Sequence, residues 1–300
     1  MKLAITGATG FVGSRLIAAS VAAGHEVRAL TRRAQPERDG IDWVTGSLET
    51  PDALDALVRD ADAVIHVAGV VNARDRDGFA AGNIDGTRAV LAAAEGSGVH
   101  RFVHVSSLAA REPGLSAYGW SKSDAEGLVT GSRADWDIVR PPAVYGPGDM
   151  EMRELFRMAK RGIALLPPGG RLSVIHVDDL ARLLLSLAAR PATRAVYEPD
   201  DGRLGGWSHT AFAHAIGDAV GRKVRAVSLP RRILDLGARA DALIRRGGAK
   251  LTPDRVSYFC HPDWVSDPLR RPPPALWRPR IETSAGLAET AAWYRAQGLL

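Results

Sequence analysis

A chain of 300 residues can bury one large core or two joined ones, which excludes a disulfide-stapled mini-protein, and its single cysteine, Cys260, excludes both an intrachain disulfide and a zinc site built from cysteines. Hydrophobic content of 46%, charged content of 24%, 31 Gly and 18 Pro match an ordinary globular enzyme rather than a disordered, collagen-like or coiled-coil chain. The net charge of +5 is compatible with nucleic acid, acidic lipid or an anionic substrate, but no nucleic-acid motif accompanies it, so no nucleic-acid partner is expected.

Met1 and Lys2 lead straight into a short apolar strand, with no signal-peptide core. No apolar run approaches the roughly 18 residues a spanning helix needs. A cytoplasmic chain in a reducing compartment, without an integral membrane segment, is the expectation; peripheral membrane contact stays open.

Strands are predicted at 2–6, 26–30, 41–45, 63–68, 101–106 and 136–141, alternating with helices at 12–23, 51–59, 84–95 and 118–130. Gly24, Gly96 and Gly131 are placed as helix stops. Six strands with crossover helices predict an α/β fold, a doubly wound parallel sheet. After Pro141 prolines punctuate the chain, and helices at 152–160, 178–189, 210–220 and 285–297 stand among short strand-like runs. The expected division is a nucleotide-binding domain over 1–170, with returning segments from 171–200, and a smaller mixed α/β substrate-binding region over 171–300.

Thr6-Gly7-Ala8-Thr9-Gly10-Phe11-Val12-Gly13 follows the first strand and opens the first helix. Its backbone N–H groups and the positive helix end converge on one spot that suits a pyrophosphate. Gly7 permits the tight turn, Gly10 the approach of phosphates and Gly13 the close packing of helix on strand. At the end of the second strand an acid would bond the adenosine ribose and a base would pair with a 2'-phosphate. Here Arg32 and Arg33 stand, with no acid until Glu37. They read either as a phosphate clamp favouring NADP(H), with NAD(H) still possible, or as solvated charges.

With Ser107, Tyr118 and Lys122 added, the chain resembles the extended, epimerase/dehydratase-like branch of the short-chain dehydrogenase/reductase superfamily. Residues 62–69, 83–87, Val105-Ser106-Ser107, Tyr118-Gly119-Trp120-Ser121-Lys122, 140–148 and 175–180 carry the likeness over most of residues 1–190. The resemblance implies a Rossmann domain and a catalytic set of Ser107, Tyr118 and Lys122; Ser106 and Ser107 are both candidates for the serine, and lining the strand up from Phe102 favours Ser107. Cofactor contacts would come from Gly7, Thr9, Gly10, Phe11, Val12, Gly13, Arg32, Arg33, Ser47, Leu48, Val67, Ala68, Gly69, Tyr118, Lys122, Pro141 and Val144. Asn83 would organise the interior near the nicotinamide. Independently of the likeness, Tyr118 and Lys122 lie four apart on one helix face, and the lysine charge is expected to favour the phenolate.

The implied activity is NADP(H)-dependent reduction of a small carbonyl, or oxidation of the alcohol. Alternatives are an NAD-dependent nucleotide-sugar epimerase or dehydratase and a non-catalytic NADP(H)-binding sensor. The short, mostly small or apolar stretch 108–117 and Ala143, where sugar-nucleotide enzymes often carry Asn, lean toward a less polar substrate. Trp207, Tyr258, Phe259, Trp264 and Met150 are candidate pocket walls or simply core. His176 receives no role, Asp178 is expected as a helix N-cap, and no spacing suggests a metal. The segment Arg231 to Arg246 mixes apolar residues with arginines and reads as a lid helix, a membrane-surface helix or a cover for an anionic ligand. A small-molecule substrate and a possible homodimer through the helices at 84–95 and 118–130 complete the expectations.

Overall fold

A computed structural model describes residues 1–245 and 252–300. It divides into two compact units: Met1–Pro141 with Asp178–Glu198 and Pro272–Arg278, and Pro142–Val177 with Pro199–Arg271 and Pro279–Leu300. The division therefore falls after Pro141 rather than at 170, and two separate segments return to the first unit.

The first unit is a seven-stranded parallel sheet. In chain order come β1 (Lys2–Thr6), α1 (Phe11–Ala22), β2 (Glu26–Thr31), β3 (Ile41–Thr45), α2 (Pro51–Val58), β4 (Ala63–His66), α3 (Arg76–Phe79), α4 (Gly86–Gly96), β5 (Arg101–Val105), α5 (Ala117–Thr130) and β6 (Asp135–Val139). From β1 the chain runs outward through β2 to β3, then crosses back and runs the other way through β4, β5 and β6; Val196–Tyr197 closes the far edge beside β6. The order reverses between β1 and β4, and crevices at such reversals, beyond the carboxyl ends of the strands, are where doubly wound sheets hold ligands.

β1, β4 and β5 are buried on both faces, which explains their continuous Leu, Ile, Val and Phe content. On one face Leu54, Leu57 and Val58 of α2 and Val90 and Leu91 of α4 pack with Phe102 and Ile138. The seventh strand was not foreseen. It is two residues long, too short to show a period, and is pinned from elsewhere: Asp137 accepts from the Thr193 hydroxyl at 2.6 Å and pairs with Arg101 at 2.5 Å, while Arg101 donates to the Leu187 carbonyl at 2.7 Å.

Two helix ends differ from expectation. Residues 80–85 form a π-helical turn ahead of α4, so the predicted helix at 84–95 starts two residues late and merges with that turn. α4 carries Gly96 inside it, and the left-handed residue that follows is Gly98 at φ 72°.

In the second unit, Ala143–Tyr145 pairs with Val174–His176, Ile163–Leu166 with Arg225–Ser228, and Arg171–Leu172 lies between Trp207–Ser208 and Asp263–Trp264. Tyr145, Phe156, Phe212, Ile216, Leu287 and Tyr294 form its core.

Candidate active site

The glycine loop is forced by contact rather than by preference. Gly7 sits at φ 69°, and a Cβ there would stand 2.6 Å from the Ala68 backbone nitrogen; a Cβ on Gly13 would stand 2.1 Å from the Gly7 carbonyl oxygen. The first contact joins the loops after β1 and β4 at the sheet's reversal. α1 then begins with no acidic residue in its first turn, leaving its positive end uncompensated. Thr9 and Gly10 are exposed there, with Phe11 and Val12 half-buried behind them. These residues fit a pyrophosphate.

A polar chain runs inward from this loop. The Ala68 N–H donates to Thr6 Oγ1 at 3.1 Å, and Thr6 Oγ1 lies 2.7 Å from His66 Nδ1. On the other side, His66 Nε2 lies 3.1 Å from Thr87 Oγ1, which donates to the Asn83 carbonyl at 2.6 Å. Because the Thr87 proton is spent on Asn83, Nε2 must carry the ring's proton and Nδ1 must accept from Thr6. His66 is thus a neutral relay of orientation, not of charge. Asn83 continues the chain: its side chain bonds both the N–H and the carbonyl of Val70, at 2.7 and 3.0 Å, and donates to Ser121 Oγ at 2.8 Å. The loop after β4 is thereby tied to α5.

α5 carries Tyr118 and Lys122. Ser116 caps it, accepting from the Gly119 N–H at 2.9 Å. Lys122 is buried, and Nζ donates to the Val105 carbonyl at 2.8 Å, which leaves two of its three donors for a ligand. A Cβ on Gly69 would stand 3.6 Å from that Nζ, so the Val67–Ala68–Gly69 loop passes directly over it. Burial lowers the Lys122 pKa to about 8, against the opposing pull of Glu126.

Ser107 hydrogen-bonds the Tyr118 phenol, whereas Ser106 donates to Glu126, so the two neighbouring serines have separate tasks. The expectation that Lys122 would pull Tyr118 toward phenolate does not describe this state. Burial raises the Tyr118 pKa, and the opposing influence is the Ser107 hydroxyl. The phenol is held protonated.

The family-model comparison then decides the lineage: residues 3–198 match the NAD dependent epimerase/dehydratase family. The chain belongs to that family. A "Ceramide reductase" of Caulobacter vibrioides is 39% identical over 99% of this chain and 96% of its own length. A "2-alkyl-3-oxoalkanoate reductase" of Stenotrophomonas maltophilia is 28% identical over 90% and 93%. Among solved structures, a human epimerase family protein with NADPH superposes with a TM-score of 0.76, 20% identity and coverage of 97% and 99%. That last likeness concerns the fold alone. As an epimerase/dehydratase family member the chain is an NAD(P)-dependent enzyme of the short-chain dehydrogenase/reductase superfamily.

The remaining cofactor candidates of this family member are distributed as follows. Arg32 and Arg33 follow β2, both exposed, and neither guanidinium bonds another described residue. Ser47 is occupied in its own loop, with Oγ 3.2 Å from Thr50 Oγ1 and accepting the Glu49 N–H, while Leu48 packs on Gly86 at the start of α4. Pro141 is buried and accepts the Leu108 N–H at 3.1 Å; Val144 belongs to the second unit, on the strand Ala143–Tyr145. Asp178 is not an N-cap. It lies in the first turn of the helix Val177–Ala188 and pairs with Arg15 at 2.5 Å. Of the wall candidates, Tyr258 and Trp264 meet at a 30° tilt with centroids 4.6 Å apart and Trp207 meets Phe212 edge-on at 6.0 Å, so these three serve packing within the second unit; Met150 and Phe259 are exposed. Among the described residues no cluster could hold a metal.

Sequence reasoning missed two groups. One is the set of buried Glu126 and Glu198 with half-buried Arg140 and Arg111. The other is His104, which stacks on His66 at 5.4 Å with neither ring nitrogen hydrogen-bonded. Burial, followed by the charge of Lys122, lowers both histidines, His66 to about 3. An unfolded histidine takes its proton below about 6.5 while folded His66 resists until about 3, so stability falls as pH drops through that window. His104→Leu should therefore flatten the loss of Tm between neutral pH and pH about 4. An unchanged acid profile would remove His104 as a cause and leave His66 alone to account for it.

Proposed function

We propose that the chain is an NADPH-dependent reductase that converts the ketone of a long-chain, ceramide-type lipid into the alcohol. The observation that carries the reading is the hydrogen-bonded Ser107 and Tyr118 pair, on the same unit as the buried Lys122 ammonium and the glycine loop. The strong sequence likeness to a ceramide reductase, the second relative whose name is also that of an oxo-lipid reductase, and the lack of an acid after β2 support the substrate and cofactor classes.

The cofactor, when bound, supplies a hydride to the carbonyl carbon. The phosphates would be held by the backbone of residues 7–13, the 2'-phosphate by Arg32 and Arg33, and the nicotinamide ribose by the two spare donors of Lys122. Ser107 Oγ would donate to the carbonyl oxygen and fix it, and Tyr118 would release its proton to that oxygen as negative charge grows there. A phenol whose pKa is raised is suited to hold that proton at neutral pH. The reduction should therefore run undiminished through neutral pH, while the reverse oxidation should speed up as pH rises and the phenol ionises. Parallel profiles for the two directions would contradict Tyr118 as the acid.

Binding tests the cofactor. Replacing Arg32 and Arg33 together with Ala should weaken NADPH about tenfold or more, roughly 1.4 kcal/mol, and leave NADH where it was. Equal loss for both, combined with turnover of a nucleotide sugar rather than a lipid ketone, would overturn the reading.

A further inference from the structure

The helix Arg231–Arg245 carries a second feature that the reaction does not use. One side of it is covered: Ala238 is fully buried and Leu234 half-buried, and the helix packs against Pro253–Phe259. The opposite side presents Ile233, Leu236, Ala240 and Leu243, spaced three, four and three apart and so aligned in one stripe. Ile233 is 53% exposed, Leu236 67% and Leu243 82%. Three large aliphatic side chains standing in water on one helical face are a cost that a purely structural lid helix has no reason to carry.

Charge identifies the occupant. Arg232 and Arg239, both exposed and seven apart, run along one edge of the stripe, beside Leu236. Arg222, Lys223 and Arg225 are exposed just ahead of the helix. Asp235 is turned away from the stripe, where it meets Arg231 at 3.8 Å. Packing two copies of this stripe together would bring arginine edges into a desolvated contact, so a second copy of the chain is a poor fit. A surface that is apolar beneath and negatively charged above fits both halves of the pattern. No helix among the described residues is long and apolar enough to cross a membrane. We propose that this helix docks the protein on the surface of an anionic phospholipid bilayer, lying in its plane with Ile233, Leu236 and Leu243 in the acyl boundary and Arg232 and Arg239 among the phosphates. Arg246 and Lys250, part of the same basic run, lie outside the described residues.

The proposal adds to the lipid-ketone reading and is read out without turnover. The test is co-sedimentation of the full chain with phosphatidylcholine vesicles, with and without phosphatidylglycerol. Binding is expected to the anionic vesicles, to weaken with salt, and to fall about tenfold or more in I233S/L236S/L243S, which loses the apolar face, and in R232E/R239E, which reverses the charge edge. Each variant should keep the circular dichroism spectrum and the thermal midpoint of the unaltered protein, which shows that it is folded. Failure to sediment with anionic vesicles, or binding that the variants do not change, overturns the docking. So does a concentration-dependent dimer that the apolar variant dissociates. Vesicle binding without turnover of any lipid ketone would leave the docking standing and remove the substrate class instead.

Discussion

Tyr118→Phe is expected to lower kcat by about 10²- to 10⁴-fold, the usual contribution of a positioned general acid, while NADPH binding stays nearly unchanged. The change removes one oxygen and keeps the ring, so the packing of Tyr118 against Phe79, at 6.0 Å between centroids, is retained. The glycine loop and Lys122, which would carry the cofactor, do not depend on the phenol. Lys122 is anchored on the Val105 carbonyl. Ser107→Ala should cost about one to three orders of magnitude, since the carbonyl oxygen would lose one donor but keep its proton source. The pair of variants separates proton delivery from orientation. Stopped-flow single turnover with saturating NADPH measures the chemical step directly. Full activity in Tyr118→Phe would end the proposed proton path.

What the sequence disclosed about this site follows from how local each interaction is. The glycine loop spans eight residues and is set by strand, turn and helix in immediate succession. Tyr118 and Lys122 lie four apart on α5 and Ser107 stands two residues past β5, so the sequence and its family likeness could single all three out as candidates. The supports beneath them were not. His66 meets Thr6 across 60 positions and Thr87 across 21, and its role depends on which nitrogen holds the proton, a question only the assembled network answers. Nothing in the run from Ala80 to Asp85 signals a π-helical turn, and Asn83 within it makes bonds no local pattern shows: to Val70 on one side and to Ser121 on the other. The Tyr118 pKa went the other way from expectation because helix spacing alone says nothing of burial. The division of the chain after Pro141 also depends on segments far downstream: Asp178–Glu198 lies within the stretch expected to return, whereas no local pattern announces the return of Pro272–Arg278.

Glu126→Gln is the variant that should reach furthest from the reacting atoms. Glu126 lies four residues past Lys122 and eight past Tyr118 on α5, nearly buried. Arg140 grips it with two bonds, at 2.8 and 2.6 Å, and also reaches Glu198 at 3.4 Å, which Arg111 meets at 3.4 Å from the other side. Ser106, the neighbour of Ser107, donates to the same carboxylate. Neutralising this carboxylate leaves the half-buried Arg140 guanidinium with Glu198 as its charged partner, so a lower denaturant midpoint is expected. A second effect separates positioning from mere stability. The Glu126 charge holds the Lys122 pKa up against burial, and its removal should let that pKa fall below about 8. Lys122 is then neutral at a lower pH. His66 and His104, which feel the Lys122 charge, are neutral above their lowered pKa values and cannot compensate. The alkaline limb of kcat/KM for ketone reduction should shift toward acid, with NADPH binding weakening at pH values where the unaltered protein still holds it. Glu126→Asp, which restores the charge, should return the limb toward its original position even if the fold stays weakened. A destabilised variant whose pH profile does not move would assign Glu126 to the fold alone and leave the Lys122 charge to be set by burial.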